Sequence, residues 1–234
     1  MSDILLTGGS GQLGLELCKN LKCYTPSHNE FDITNINQMR DYISNKNISK
    51  IIHCAAFISP PKIDQDPKKA IETNIIGTSN LTTICIEKNI YLIYISTDYV
   101  FNSEKGNYSE EDPVYPVNKY AWSKLGGECA VRMHNNSLII RTSFTPKEFP
   151  YPKAFVDQYT TRETVDVIAK KIIYLANLNL CGTIHIGGIK QSVKNYAISI
   201  GKTDVQDLKS CDVNFSIPKD TSLLTKKFDS LKLL

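Results

Sequence analysis

Short apolar runs alternate with helical patterns over the first 142 residues. The runs at 51–52 and 92–95 are almost entirely apolar, which is typical of strands buried on both faces of a parallel sheet. Strands of this kind alternating with helices predict a doubly wound α/β fold, in which helices cover both faces of one parallel sheet. The predicted strands are 3–7, 21–25, 50–54, 90–96 and 137–141, and the predicted helices are 12–20, 36–46, 67–88 and 117–134.

The pattern becomes irregular after Arg141. Prolines at 146, 150 and 152 interrupt the chain before a predicted helix at 164–178, a strand at 183–187 that returns to the sheet, a helix at about 193–201 and a polar tail. We therefore predict a sheet domain over residues 1–142 and a smaller lobe over residues 143–234, of which about 164–187 partly returns to the sheet.

The first strand leads directly into three glycines spaced three residues apart, and a helical pattern follows at once. Gly8 can adopt the positive φ that a tight strand-to-helix turn needs. Gly11 leaves room for a phosphate against the backbone, and Gly14 lets the helix pack close to the strand. Because the N–H groups at the start of that helix can bind a pyrophosphate, we expect a Rossmann-type dinucleotide site. The alternative is a tight turn without a ligand. The expected contacts in this loop are Gly8, Ser10, Gly11, Gln12, Leu13 and Gly14.

Composition narrows the classes of function. The net charge is +3 and the lysines are scattered, which gives no support for nucleic-acid binding. The seven cysteines form no C-x-x-C pair and no cluster at zinc-ligand spacing, so we expect reduced thiols, a cytoplasmic location and no metal site. No apolar run reaches about 18 residues and no leader pattern opens the chain, so we expect neither a membrane span nor a signal peptide.

Tyr120 and Lys124 lie four residues apart and therefore share one face of a predicted helix. Free tyrosine has a pKa of about 10, and a nearby ammonium group favours the phenolate, which brings proton transfer closer to neutral pH. The same spacing occurs at Tyr42 and Tyr115. However, Pro116 follows Tyr115, and Tyr42 precedes the third strand, away from the strand ends where ligands bind. The alternative for Tyr120 is a half-buried tyrosine beside a solvated lysine.

The fourth predicted strand ends in Ser96-Thr97-Asp98-Tyr99-Val100-Phe101. A hydroxyl at the carboxyl end of such a strand can hydrogen-bond a substrate carbonyl and align it with Tyr120. Alone, this segment is an ordinary strand end. However, the glycine loop, this strand end and the Tyr120/Lys124 pair follow one another along the chain in the order that a single carbonyl-reducing mechanism needs.

These residues resemble the extended short-chain dehydrogenase/reductases, and more closely their dTDP-4-dehydrorhamnose reductase branch, whose S-T-D-Y-V-F signature matches residues 96–101. The resemblance covers nearly the whole chain and is strongest before Ser143. The other matching segments are Phe31-Asp32-Ile33-Thr34, His53-Cys54-Ala55-Ala56, Asn74, Tyr120 to Lys124 with Gly127-Glu128, Arg141-Thr142-Ser143, Asp157-Gln158-Tyr159, Gly182-Thr183-Ile184-His185 and Pro218-Lys219-Asp220-Thr221-Ser222-Leu223.

The resemblance implies roles for residues at matching positions. Tyr120 would protonate a carbonyl oxygen as hydride arrives from a nicotinamide, and Lys124 would lower the tyrosine pKa and bind the nicotinamide ribose. Thr97 would hydrogen-bond the reacting oxygen. The other implied cofactor contacts are Asp32, Ile33, Ala55, Ala56, Phe57 and Asn74, and the other implied substrate contacts are Ser96, Asp98, Tyr99 and Phe144.

The residues at the end of the second predicted strand bear on the choice between NADH and NADPH. NAD-preferring sites usually place a carboxylate there against the ribose 2′-OH. Residues 24–29 contain none, and Ser27 and His28 could instead receive a 2′-phosphate. We therefore expect NADPH. The alternative is that Asp32 or Glu30 turns in and NADH is used as well.

The leading hypothesis is a reductase of a nucleotide-linked 4-keto-6-deoxy sugar, with dTDP or UDP as the nucleotide. A 4,6-dehydratase or epimerase is a second hypothesis, although Tyr99 stands where dehydratases usually place an acid after Asp98. A third is a non-catalytic NADP-binding subunit resembling that of methionine adenosyltransferase. In similar proteins the helices that correspond to the Tyr120 helix and the long helix commonly form a dimer interface. A homodimer is therefore one possible oligomeric state, which the sequence does not decide.

The chain also departs from the family pattern. Family members run longer, and the shortfall falls mostly between Ser143 and Asp157, a stretch that carries part of the sugar-nucleotide pocket in relatives. Phe144 stands where the family usually has tryptophan. Nucleotide and sugar specificity are therefore left open, and the pocket is either more open or completed by another chain.

Overall fold

A computed structural model describes residues 3–213 and 217–231. Its centre is a five-stranded sheet whose neighbouring strands are all parallel, in the order β1-β2-β3-β4-β9. This confirms the predicted doubly wound α/β fold. The strands are β1 (Ile4–Thr7), β2 (Lys50–His53), β3 (Tyr91–Thr97), β4 (Ser137–Thr142) and β9 (Gly182–His185).

Alternate residues of these strands face two separate apolar layers, as the pleat of a strand requires. Leu6, Ile93 and Ile140 pack with helices on one face, whereas Leu5 and Leu92 belong to the core on the other. The first face is covered by α1 (Gln12–Cys18), α7 (Val165–Ala176) and α9 (Lys226–Leu231). The second is covered by α2 (Ile36–Ser44), α5 (Thr78–Lys88) and α6 (Lys119–Val131).

The predicted strand at 21–25 is shorter than expected. Within it, Tyr24 alone bridges β1, opposite Leu5, through hydrogen bonds to Leu6 and Ile4 of 2.8 Å each. Proline at 26 ends this extended stretch, because it has no N–H to continue the pairing. Since β2 lies on the other side of β1, the chain reverses direction across the sheet at β1, and ligands of such sheets bind at this reversal.

The predicted helix at 67–88 contains a π-helical turn. It consists of α4 (Pro67–Ala70), the π segment Ile71–Gly77 and α5. Asp66 precedes it as the N-cap residue, but its side chain makes no capping hydrogen bond. A short helix that the sequence analysis did not predict, α3 (Pro60–Gln65), comes just before.

Short paired strands follow β4. These are β5 (Phe144–Thr145) with β8 (Glu163–Thr164), β6 (Lys153–Phe155) with β11 (Gln206–Leu208), and β7 (Tyr159–Thr160) with β10 (Gln191–Ser192). Together with α8 (Val193–Ser199) they surround a small apolar cluster that includes Phe149 and Tyr196. Parts of the predicted polar tail, 214–216 and 232–234, lie outside the described residues.

Candidate active site

A cavity of about 1230 Å³ lies at the carboxyl ends of the parallel strands. It joins the glycine loop after β1 to the ends of β3 and β4 and to the first turns of α6. Most of the residues predicted from the sequence line it. They are Gly8, Ser10, Gly11, Gln12, Leu13, Gly14, Ser27, His28, Asp32, Ile33, Ala55, Ala56, Ser96, Thr97, Asp98, Tyr99, Tyr120, Lys124 and Phe144.

The glycine loop has the geometry that its sequence predicts. Gly8 has φ +72°, and a Cβ there would lie 2.6 Å from the amide nitrogen of Ala55. A Cβ at Gly14 would overlap the carbonyl oxygen of Gly8, so both positions require glycine. At Gly11 a Cβ would meet only the Gly8 oxygen, at 3.3 Å. The space in front of Gly11 is therefore open to a phosphate, and the loop fits a dinucleotide.

Carboxylates accompany Ser27 and His28 at the other end of the cavity. The amide and hydroxyl of Ser27 donate to Glu30 at 2.9 and 2.7 Å, and these bonds hold the Glu30 pKa below its usual value. The exposed His28 ring lies 3.6 Å from a carboxylate oxygen of Asp32. Both groups that were expected to meet a 2′-phosphate therefore have acidic neighbours in the free protein.

Tyr120 meets Thr97 at the centre of the cavity. Burial raises the pKa of the Tyr120 phenol well above its usual value, and the nearby Asp98 carboxylate raises it further, while a hydrogen bond with Thr97 acts in the opposite direction. In the free protein the Tyr120 pKa is thus raised, where the sequence analysis predicted that Lys124 would lower it. Burial has the largest effect because taking a phenolate out of water costs free energy.

Lys124 is itself buried, with only 4% of its surface exposed. Its ammonium group lies 4.1 Å from the centre of the Tyr94 ring. Burial lowers the Lys124 pKa to about 8, although Cys54 and Glu128 act to raise it. Because this positive charge is poorly solvated, it attracts an anionic or polar group of a ligand more strongly than a lysine in water would.

Asp98 and Tyr99 line the cavity together with Arg162, a residue that was not predicted from the sequence. One Asp98 oxygen accepts from the Thr97 hydroxyl at 3.1 Å, and the other accepts from the Thr221 hydroxyl at 2.6 Å. Burial raises the Asp98 pKa to about 6, while Thr221 and the positive charge of Arg162 act to lower it. Arg162 also acts to lower the pKa of Tyr99, which burial raises. It is a cationic group in the cavity wall.

Phe57 and Asn74 do not line the cavity, contrary to the expectation that they contact the cofactor. The Phe57 amide donates to the Asn74 side chain at 2.7 Å, and the Asn74 amide group donates to the Phe57 carbonyl and the Ser123 hydroxyl, both at 2.8 Å. Asn74 is fully engaged and buried in this position. It therefore fixes the segment after β2 against α6 and acts on the cavity indirectly.

Ser96 lies at the wall, but its hydroxyl points away from the expected sugar contact. It donates to Glu128 at 2.5 Å, and Glu128 accepts two hydrogen bonds from Arg141, at 3.0 and 2.8 Å. Arg141 also lies 3.5 Å from the His185 ring, whose pKa is lowered to about 3 by burial and by Arg141. These buried groups hold β3, α6, β4 and β9 in one arrangement.

The sequence assigned no role to three cavity residues that bear on the site, Arg162, Tyr151 and Thr142. Arg162 follows the Asp157-Gln158-Tyr159 match, Tyr151 lies in the irregular stretch, and Thr142 ends β4. Thr142 could have been identified by analogy with Thr97, because both are hydroxyl residues at strand ends, whereas nothing local distinguishes Arg162 or Tyr151. Within residues 3–213 and 217–231, no group of three His, Cys, Asp or Glu side chains could hold a metal ion. No helix in the same ranges is long and apolar enough to cross a bilayer.

Comparison with a family model gives a match over residues 1–174 to the RmlD substrate binding domain. Among solved structures, dTDP-4-dehydrorhamnose reductase from Bacillus anthracis str. Ames, in complex with NADP, superposes with a TM-score of 0.89 at 27% identity, covering 100% of this chain and 93% of that one.

Two curated relatives match a shorter part of the chain. dTDP-4-dehydrorhamnose reductase from Aggregatibacter actinomycetemcomitans is 31% identical over 182 residues, which cover 74% of this chain and 62% of the relative. Methionine adenosyltransferase 2 subunit beta from Xenopus laevis is 30% identical over 148 residues, which cover 58% and 44%. The chain thus spans less than two thirds of the length of these curated relatives.

Proposed function

The chain belongs to the family of the RmlD substrate binding domain, and from this premise we propose that it is an NADPH-dependent reductase of the C4 keto group of a nucleotide-linked 4-keto-6-deoxyhexose. The observation that carries the proposal is the single cavity that brings the glycine loop together with Thr97, Tyr120 and Lys124. In this proposal residues 1–142 bind the cofactor, and residues 143–234 supply part of the sugar pocket.

A reduced nicotinamide, when bound, supplies the hydride. Tyr120 donates its phenolic proton to the carbonyl oxygen. Its raised pKa in the free protein makes the phenol a weaker acid, so this role needs the Lys124 ammonium to favour the phenolate once cofactor and sugar are bound. Thr97 hydrogen-bonds the same oxygen, while Asp98, Tyr99 and Phe144 contact the sugar. The buried Lys124 ammonium is held for the ribose hydroxyls, whose hydrogen bonds would satisfy it.

The proposed cofactor preference is for NADPH. Ser27 and His28 would take the 2′-phosphate once it displaces the Glu30 and Asp32 carboxylates that contact them in the free protein. The NADP in the Bacillus anthracis relative supports this choice. If Glu30 instead accepts a hydrogen bond from a ribose 2′-OH, NADH will be used as well. Turnover measured with both cofactors decides between them, and a strong preference for NADH would contradict the proposal.

A non-catalytic NADP-binding subunit is the second candidate. It is favoured by the relatives named methionine adenosyltransferase 2 subunit beta and by the position of Lys124, whose ammonium faces the Tyr94 ring. This candidate predicts tight cofactor binding together with no oxidation of NADPH by any keto sugar.

The test is NADPH oxidation with dTDP- and UDP-linked 4-keto-6-deoxy sugars, each with and without a 2-acetamido group. Tyr120→Phe removes only the hydroxyl and should lower kcat by about 100-fold or more, the usual size of a general-acid contribution. Tyr115→Phe is the matched control, because Tyr115 has a lysine at the same spacing but is 65% exposed.

Each outcome separates the candidates. Turnover that is lost in Tyr120→Phe and kept in Tyr115→Phe supports the reductase and identifies the nucleotide. Cofactor binding with no turnover on any sugar favours the regulatory subunit. Conversion of an intact nucleotide-linked hexose, offered as a separate substrate, without net consumption of the cofactor indicates the dehydratase or epimerase.

A further inference from the structure

Thr142 has a buried hydroxyl without a partner in the cavity wall. The residue ends β4, is 2% exposed and lines the cavity. Its Oγ1 makes no hydrogen bond with any of the described residues. Buried hydroxyls in folded proteins are nearly always paired, and one that is left unpaired lowers stability. A group kept at this cost beside a cavity is suited to bind something that enters the cavity.

The direction of the Thr142 side chain follows from the strand. Leu138 and Ile140 pack on the α1 face of the sheet, and Arg141 turns to the opposite face to pair with Glu128. Because alternate residues of a strand share a face, Thr142 lies on the same face as Leu138 and Ile140. The helix α1, which begins at the glycine loop, covers this face.

Thr142 is also the register partner of Thr97 on the neighbouring strand. It therefore lies next to the residue that is proposed to hold the reacting carbonyl. The part of a dinucleotide that must reach Thr97 is the nicotinamide ring, because hydride transfer requires contact with the carbonyl carbon. The ring carries a carboxamide, which both donates and accepts hydrogen bonds.

We propose that the Thr142 hydroxyl binds the carboxamide of the nicotinamide ring and so sets the rotation of the ring in front of Thr97. This proposal rests on the proposed function for the identity of the ligand. Thr142 is then a positioning residue of the cofactor, and its hydroxyl gains a partner only in the complex. The free protein should not need that hydroxyl for stability.

The test compares Thr142→Val, which keeps the shape and removes the hydroxyl, with Thr142→Ser, which keeps the hydroxyl. Thr142→Val should leave the thermal midpoint of the free protein unchanged or higher. Its Kd for NADPH should rise about three- to tenfold, as the loss of one hydrogen bond predicts. Its Kd for 2′-phospho-ADP-ribose, which lacks the nicotinamide, should not change, and Thr142→Ser should bind NADPH like the wild type.

Thr145→Val is the matched control, since the Thr145 hydroxyl is buried but paired with Tyr196 at 2.6 Å. It should lower the thermal midpoint of the free protein and leave NADPH binding unchanged.

Equal NADPH affinity in Thr142→Val and wild type would overturn the proposal, as would an equal loss of 2′-phospho-ADP-ribose binding or a failure of the wild type to bind NADPH. All these measurements are made without sugar. A protein that binds NADPH through Thr142 but reduces no keto sugar would refute the proposed function and leave this inference in place.

Discussion

Single residues in this cavity have their proton affinities set by burial more than by their sequence neighbours. Tyr120 and Asp98 both hold their protons more tightly than in water, because the charged form of each loses solvation. Lys124, four residues from Tyr120, changes in the opposite sense, with a pKa lowered to about 8 for the same reason. For a reductase the raised Tyr120 pKa is unfavourable, because it makes the phenol a weaker acid, so the Lys124 ammonium has to offset burial when the ligands are bound.

Asp98 gives a prediction for stability against pH. Its pKa is about 6 in the folded protein and 3.8 for the unperturbed group, so the folded state binds the proton more tightly. Stability from this group is fully present below pH 3.8 and lost as the pH rises to about 6. Because an asparagine cannot ionise, the free energy of unfolding of Asp98→Asn should rise relative to that of the wild type as the pH passes through this window. At about 1.4 kcal/mol per pKa unit, the difference should reach about 3 kcal/mol.

Urea unfolding of both proteins at pH values from about 3.5 to about 7 measures this difference in stability. The range brackets the two pKa values, 3.8 and about 6. Asp157→Asn provides the contrast, because hydrogen bonds from Ser210 lower the pKa of Asp157. Its difference from wild type should run in the opposite direction as the pH changes. A difference between Asp98→Asn and wild type that stays constant across the window would contradict the prediction.

At the scale of elements, the π turn in the long helix has a definite consequence for the cavity. It includes Asn74, whose side chain joins the segment after β2 to α6. Close packing supports the contact: a Cβ on Gly127 of α6 would overlap the Tyr94 hydroxyl and lie 2.8 Å from the carbonyl oxygen of Asn74. π turns often occur at functional sites, and here one brings a helix side chain to the loop beside Ala55 and Ala56.

We predict that Asn74→Ala lowers the free energy of unfolding by about 1–3 kcal/mol, since the Phe57 amide and carbonyl lose their partner. It should also weaken NADPH binding, although Asn74 does not touch the cavity. Asn80→Ala is the control on the same helix, because its hydrogen bonds to Ile33 and Thr34 are long, at 3.3 and 3.4 Å. Urea unfolding and NADPH titration of both variants measure the effect; equal effects of the two substitutions would refute it.

At the scale of the whole molecule, a buried ion pair connects the elements that carry the site. Glu128 and Arg141 are at most 1% exposed, and they join α6 to β4, with Ser96 of β3 and His185 of β9 as neighbours. The aromatic ring of Phe101 lies 5.1 Å from the Arg141 guanidinium. The relative positions of Thr97, Tyr120 and Thr142 therefore depend on one polar network beneath them.

We expect Glu128→Gln to destabilise the protein by about 3 kcal/mol, because it leaves the Arg141 charge buried without a counter-charge. Glu87→Gln breaks a pair of similar length, 2.6 Å to Arg40, at the exposed surface, where ion pairs contribute little. Chemical denaturation of the two variants side by side measures the difference. A loss in Glu128→Gln no larger than that in Glu87→Gln would show that the network does not hold the sheet together.

The sequence by itself determined the features that depend on local backbone geometry and on periodicity. Gly8 and Gly14 could be interpreted without a structure, because positive φ and the exclusion of a Cβ are properties of a short segment. The buried strands were predicted for a similar reason, since a run such as 92–95 has few other stable arrangements. The order of Thr97, Tyr120 and Lys124 along the chain then indicated which strand end and which helix meet.

Tertiary structure alone decided the rest, because the effects involved act between residues far apart in sequence. The pKa of Tyr120 depends on how much water the folded chain excludes, which spacing to Lys124 does not give. Asn74 joins the segment after β2 to α6 only because a π turn brings its side chain to Phe57 and Ser123. That Arg162 lines the cavity, and that the Thr142 hydroxyl is left unpaired there, also follows only from the assembled fold, since burial and contact between distant segments are properties of the fold.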